Sequence, residues 1–340
     1  MSAALELSAE TGKPTGTVLE VSDLEVSFPS ESGRVHAVRG LNYQVAAGEV
    51  LGIVGESGSG KSVSSLAVMG LLPRNATASG SVRFRGRELL SLSDRELRTV
   101  RGRRIAMVFQ DALAALNPMM TVGAQLAEAV SVHDPSVSRA ALRERAVDLL
   151  DLVGIPDART RAGQYPHELS GGMRQRVMIA TGIANEPDVL IADEPTTALD
   201  VTVQAQVLDV LARVQERTRS AILLITHDLG VVAGLADRVL VLYCGRKMEE
   251  APVEPLFYQP AHPYTRGLLA ALPRIDRSTR RLAQIAGQLP SPNERPPGCP
   301  FQNRCPHADE RCAESPPPVA VGEGHTAACV RAHEIASVTS

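Results

Sequence analysis

The most constraining stretch of the chain is Gly55-Glu56-Ser57-Gly58-Ser59-Gly60-Lys61-Ser62, which fits the phosphate-binding pattern GxxxxGK[ST] at every fixed position. Val50-Leu51-Gly52-Ile53-Val54 before it is a short apolar run suited to a buried strand. After it, Val63, Leu66, Ala67 and Gly70 recur at helical spacing. Strand, glycine loop and helix stand in the order that phosphate binding needs. The glycines let backbone N–H groups close around an anion, and the helix that follows points its N-terminus at it. Gly55, Ser57, Gly58, Ser59, Gly60, Lys61, Ser62 and Val63 are therefore the candidate nucleotide-phosphate residues, with Lys61 for the β- and γ-phosphates and Ser62 for Mg²⁺.

The surrounding pattern places this loop in a doubly wound α/β core. Val18–Phe28 and Val38–Val45 alternate apolar and polar positions around a turn at Glu31-Ser32-Gly33, as a hairpin does; Val82–Phe84 extends that sheet region. Ile105–Phe109 reads as a buried strand ending in Gln110. Val189–Ala192, Ala221–Ile225 and Val239–Tyr243 are continuous apolar runs, expected of a parallel sheet covered on both faces. Val203, Val207, Val210, Leu211 and Val214 mark a crossover helix. Between Asp111 and Ala184 the pattern turns helical, with Leu142, Ala146, Leu149, Leu150 and Val153 on one face. Residues 1–16 are polar, small and without periodicity, a leader. From 256 to 340 prolines multiply and extended or turn-rich backbone is expected, an appendage to the core spanning residues 17–255.

A charge of −3, with 3% aromatic residues and no Trp, leaves neither a basic field nor stacking platforms for nucleic acid. No apolar run approaches the ~20 residues a membrane helix needs, so a membrane would be reached through another protein.

Two further constellations belong with the loop. Val189-Leu190-Ile191-Ala192 delivers Asp193 and Glu194 at the carboxyl end of a strand, where open α/β sheets bind ligands. Asp193 suits the Mg²⁺ shell, and Glu194, one residue on, suits a general base for water. Leu169-Ser170-Gly171-Gly172-Met173-Arg174-Gln175 has a helix-capping Ser170 and two small residues that allow close approach, a second anion site.

Phosphate loop, Leu-Ser-Gly-Gly-x-x-Gln signature and Asp-Glu pair, in this order, resemble the ATP-binding-cassette (ABC) family over about Val18–Glu250. In that resemblance Gln110 matches the Q-loop, Ala198-Leu199-Asp200 the D-loop and His227 the switch histidine. The fold it implies is a P-loop NTPase with a RecA-like core, an antiparallel β subdomain and an inserted helical subdomain at about 111–184. It also implies two chains sandwiching ATP, with Ser170, Gly171, Gly172 and Gln175 of one chain touching ATP held by the other and Asp200 coupling the sites. Glu194, His227 and Lys61 would be catalytic, with Mg²⁺ held by Ser62, Gln110 and Asp193. The family's adenine-stacking aromatic has no clear counterpart; Phe28 and Val35 are the candidates.

The wording around the motifs narrows the resemblance. Asn117-Pro118, Gly171 through Arg176, Asp193 through Gln206, His262 through Leu269, and Pro290-Ser291-Pro292 ahead of Gly298-Cys299-Pro300 are similar to the ATPase subunits of bacterial dipeptide, oligopeptide and nickel importers. The resemblance implies a peripheral ATPase at the cytoplasmic face of the cell membrane. Its partners would be two transmembrane permease subunits, an extracytoplasmic solute-binding protein and a second, non-identical ATPase. A nickel or other small-solute importer and a soluble ABC ATPase acting on nucleic acid or ribosomes are the alternatives. Cys299, Cys305, Cys312 and Cys329 form C-x5-C-x6-C-x16-C. Four clustered thiols could ligate zinc or an iron-sulfur cluster, or be free or disulfide-bonded, and the resemblance favours [4Fe-4S] with Zn²⁺ as the alternative. Cys244 reads as an inert core thiol.

Overall fold

In a computed structural model of the protein, residues 16–31, 33–197, 199–272, 284–291 and 295–337 are described. Residues 1–15 of the expected leader 1–16, Ser32 of the hairpin turn, Pro292 and Ala198 of the D-loop lie outside them.

The strands are β1 (Thr17–Ser30), β2 (Gly33–Ala46), β3 (Val50–Val54), β4 (Thr77–Phe84), β5 (Arg87–Glu88), β6 (Ile105–Val108), β7 (Val189–Asp193), β8 (Ala221–Thr226), β9 (Arg238–Tyr243), β10 (Arg246–Pro252), β11 (Val319–Gly322) and β12 (His325–Ala327). They form two sheets, an antiparallel one in the order β2-β1-β4-β5 and a larger one in the order β11-β12-β10-β9-β3-β8-β7-β6. The run from β9 to β6 is parallel, with Gly52 paired to Leu224 on one side and Val239 on the other.

Period-two geometry explains why these central strands are apolar throughout. Leu51 and Ile53 of β3, Val189 and Ile191 of β7, Leu223 and Ile225 of β8, and Leu240 and Leu242 of β9 share one core with the antiparallel sheet. Their sequence neighbours Val50, Val54, Leu190, Ala192, Ile222, Leu224, Val239 and Val241 face the other core, which the helices cover. Each strand residue is therefore demanded apolar by one layer or the other, the physical content of a doubly wound fold.

The helical region after β6 contains helices Val122–Ser131, Arg139–Leu152 and Gly171–Ile183, begun by Thr121, Ser138 and Ser170, whose hydroxyls each accept a backbone N–H of the first turn. On the second of these, Ala146, Leu149 and Leu150 are buried and Val153 follows them, while Leu142 is half-buried at the rim.

The chain beyond residue 255 packs against the core it follows. β12 pairs with β10 through Glu249↔Ala327 and Glu250↔Thr326 and lengthens the main sheet. Phe301, Tyr264 and Tyr243 meet as an aromatic cluster, with ring centroids 4.6, 5.3 and 5.4 Å apart, inside the same core as the helical layer. Glu249, fully buried, accepts the N–H groups of Ala261 and His262 at 2.7 and 3.0 Å and bonds His325 Nε2 at 2.7 Å. One carboxylate thus ties three separate stretches of chain.

The expected [4Fe-4S] cluster, and its zinc alternative, are overturned. Among the described residues no group of three or more His, Cys, Asp or Glu side chains is arranged to hold a metal ion. Cys299, Cys305, Cys312 and Cys329 instead border a small cavity with Pro263, Phe301 and Val330. Burial pushes Cys299 and Cys329 up to about 11 and raises Cys305 as well. Cys299 and Cys312 belong to the main core and join their loops through a Cys299 N–H to Cys312 carbonyl bond of 2.9 Å. Here cysteine serves as a small hydrophobe, as it does at Cys244, fully buried after β9.

Candidate active site

The loop Gly55–Gly60 leaves β3 at its carboxyl end and enters the helix Lys61–Val68. Gly60 sits at φ 105°, and a Cβ there would come within 2.6 Å of the Ala37 carbonyl oxygen, so turn and close approach both require glycine. Lys61 is 4% exposed, and its ammonium donates to the Gly55 and Glu56 carbonyls at 2.7 and 3.1 Å. Burial lowers its pKa, opposed by Glu194, Asp193 and Glu56. The loop thus holds one concentrated positive charge against a ring of backbone groups.

Asp193 and Glu194 are adjacent in sequence and do different things. Asp193 closes β7, is buried, and accepts the Ser62 hydroxyl at 3.0 Å. Its pKa is raised by burial, lowered by the Ser62 bond, raised by the Glu194 charge and lowered by Lys61, with a net upward shift. Glu194 takes φ 47°, a left-handed conformation unusual for a side-chain-bearing residue, held by its N–H to the Ile225 carbonyl at 2.8 Å. That turn swings its carboxylate away from Asp193. Gln110 Nε2 donates to it at 3.0 Å, Thr197 Oγ1 at 2.8 Å, and His227 Nδ1 stands 3.5 Å from its other oxygen.

These groups line one cleft of about 580 Å³, bordered by Gly55, Glu56, Ser57, Gly58, Gly60, Lys61, Ser62, Val63, Gln110, Glu194 and His227, with Leu268 from the C-terminal region. Ser59 lies beneath the loop, fully buried. Ser62 and Asp193 offer the hard oxygen donors that Mg²⁺ prefers, and the Gln110 side chain stands at the same cleft. Ser170, Gly171, Gly172, Gln175 and Asp200 are not among the lining residues. Ser170 caps its helix through the Met173 N–H at 3.3 Å. Gly172 lies so near Val203 that a Cβ would approach its Cγ1 to 2.4 Å, and Gln175 is buried beneath. Asp200 caps the helix Val201–Thr218 through the Val203 N–H at 3.0 Å. Ser170, Gly171 and Asp200 are solvent-facing, turned outward from this chain. Phe28 and Val35 are cross-strand partners of β1 and β2; Phe28 packs on the core there, and neither borders the cleft.

The sequence pattern assigns no site role to Thr197, Leu268, Tyr264 or Arg304. A hydroxyl three residues past Glu194 was a signal that spacing could have supplied for Thr197. Tyr264 and Leu268 lie in the stretch His262 through Leu269 that carries the resemblance, but nothing local ties them or Arg304 to a loop more than two hundred positions earlier.

Comparison with known proteins follows the same geometry. Residues 38–197 match the family described as ABC transporter, and residues 248–312 match the oligopeptide/dipeptide transporter C-terminal region. The chain is 51% identical over 326 residues to the oligopeptide transport ATP-binding protein OppD of Salmonella typhimurium, covering 96% of this chain and 97% of that one. The chain belongs to the ABC transporter family. The OppD of Escherichia coli is 51% identical over 314 residues, covering 92% and 93% of the two chains. Among solved structures, a dimeric bacterial ABC transporter cassette superposes with a TM-score of 0.63 at 28% identity, covering 69% of this chain and 98% of that one. CbiO1 of Clostridium perfringens, part of an ABC transporter complex, gives 0.61 at 28%, covering 71% and 91%. As an ABC ATPase this subunit converts ATP and water to ADP and phosphate. Among the described residues no helix is long and apolar enough to cross a membrane.

Proposed function

We propose that this ATPase powers oligopeptide uptake from the cytoplasmic face of the cell membrane, as one of two ATPase subunits beneath two transmembrane permease subunits served by an extracytoplasmic peptide-binding protein. Near full-length similarity to proteins named for oligopeptide transport supports the substrate class. The groove lined by Leu71, Phe109, Leu116 and Val132, next to Gln110, is the surface we assign to a permease segment. A non-identical second ATPase is the arrangement we favour.

The observation that carries the chemistry is the Glu194 carboxylate, held at the mouth of the phosphate loop by Gln110 and Thr197 and faced by His227. In our reading Glu194 accepts a proton from the attacking water while His227 orients that water and the γ-phosphate. Lys61 leaves the loop carbonyls for the β- and γ-phosphates, and the backbone N–H groups of Gly58 through Val63 cradle their oxygens. Ser62, Asp193 and Gln110 would hold Mg²⁺, which offsets phosphate charge when bound. Ser170, Gly171, Gly172 and Gln175 serve the ATP of the partner subunit, and the exposure of Ser170 and Gly171 fits a site completed across two chains. Closure of that pair on ATP and its release after hydrolysis would drive the permease.

In the reconstituted transporter with peptide-loaded binding protein, Glu194→Gln is expected to lower kcat by about 10² to 10⁴ while MgATP binding persists. A phosphate-release assay paired with peptide uptake checks this. Unchanged turnover removes Glu194 from the role of base, and uptake that ignores peptides removes the substrate class.

A further inference from the structure

Glu56, the first variable residue of the phosphate loop, is gripped at each of its polar groups. Its backbone N–H donates to the Tyr264 hydroxyl at 2.9 Å, and its carbonyl accepts the Lys61 ammonium at 3.1 Å. Its carboxylate receives a two-pronged fork from Arg304, Nη1 to Oε2 at 2.7 Å and Nη2 to Oε1 at 3.0 Å. Tyr264 and Arg304 both belong to the C-terminal region.

Arg304 is seated as firmly as it grips. Its side chain is 6% exposed. Its Nε donates to the Ala286 carbonyl at 3.0 Å and Nη1 also reaches the Tyr243 hydroxyl at 3.3 Å. The guanidinium carbon stands 5.8 and 5.9 Å from the Tyr243 and Phe301 ring centroids. Tyr264 is fully buried against Tyr243. Leu289, from the same region, lies 3.6 Å from where a Gly58 Cβ would be, and Leu268 borders the cleft. This is a built contact between a rigid seat and a flexible glycine loop.

The charges explain what the contact is for. A carboxylate at the lip of a loop that must accept polyphosphate opposes binding by like-charge repulsion, strengthened wherever protein displaces water. Arg304 cancels that charge in bidentate geometry, which lysine cannot reproduce, and fixes where the carboxylate points. Tyr264 fixes the backbone of the same residue.

We propose that Arg304 and Tyr264 are positioning residues for ATP: the C-terminal region neutralises and orients Glu56, so that affinity for ATP depends on the seating of that region. The proposal rests on Gly55–Ser62 being the ATP site. In the assembled transporter, Arg304→Gln is expected to raise KM for MgATP about tenfold while kcat holds within about twofold. Glu56→Gln added to Arg304→Gln is expected to return KM to within about threefold of the parent, because the uncompensated charge is then gone. Arg304→Lys is expected to fall between. Should Arg304→Gln fail to fold, Tyr264→Phe, which removes one hydroxyl, carries the test with an expected rise of about threefold. Unchanged KM in whichever of these variants folds, or a defect in Arg304→Gln that Glu56→Gln does not relieve, overturns the proposal. Lys61→Ala separates the two levels: if it leaves MgATP binding intact, the site reading itself falls. If it abolishes binding while Arg304→Gln does not weaken it, only the role of Arg304 and Tyr264 falls.

Discussion

Neighbouring residues of one chemical type can be given different work by a single backbone angle. Asp193 ends a strand with its side chain in the sheet's carboxyl-end crevice, bonded to Ser62. Glu194 takes φ 47° and so meets Gln110, Thr197 and His227 instead. The strain of that angle is of order 1 kcal/mol or more, and it is borne by the surrounding bonds. A second residue-scale consequence concerns His262. Burial pushes its imidazole down to about 4, against the pull of Glu249, and its Nδ1 accepts the Tyr264 N–H at 3.0 Å, so it is held neutral. In the unfolded chain the same group titrates near 6.5. Below that pH the unfolded state binds the extra proton and the folded state does not, so stability falls as pH drops from about 6.5 towards 4 and levels off below. The expected slope from this one group is at most about 1.4 kcal/mol per pH unit. Urea unfolding at pH 7.5, 6 and 5 measures it, and His262→Asn is expected to flatten the profile; an unchanged slope in that variant removes His262 as the cause.

At the scale of elements, helix starts carry two duties. Ser170 and Asp200 both cap helices, an ordinary structural task, and both are exposed, which leaves them free for the role across a subunit pair proposed above. The two duties come apart by substitution at Asp200. Asparagine caps as well as aspartate, so Asp200→Asn is expected to leave the melting temperature unchanged, whereas Asp200→Ala costs about 1 kcal/mol. If Asp200 also couples the two sites, Asp200→Asn lowers turnover of the assembled transporter severalfold without any loss of stability. Equal turnover at equal stability would confine Asp200 to capping.

At the scale of the molecule, the chain beyond residue 255 shares its hydrophobic core with the ATPase fold. β12 extends the main sheet, and Phe301 is 2% exposed within the core that also holds Leu190, Ile222 and Leu150. Phe301→Ala is therefore expected to cost about 3 to 5 kcal/mol, as a central core residue does. Calorimetry should show one cooperative transition that moves as a whole, whereas two separated transitions would mark residues 256–340 as an independent unit.

The sequence by itself determined the phosphate loop, the parallel strands and the order of the motifs. Those features are local: glycine at fixed offsets, apolar runs of strand length, and carboxylates at a strand's end each state their geometry within a few residues. It also suggested too much for the cysteines, because spacing along a chain says which thiols are near one another and not whether they are arranged as a ligand set. Only the tertiary structure decided that Tyr264 and Arg304 reach back to Glu56 and that Leu268 borders the phosphate cleft. Contacts between residues so far apart are fixed by how layers pack, and a linear pattern of side chains holds no record of which layer a distant segment will lie against.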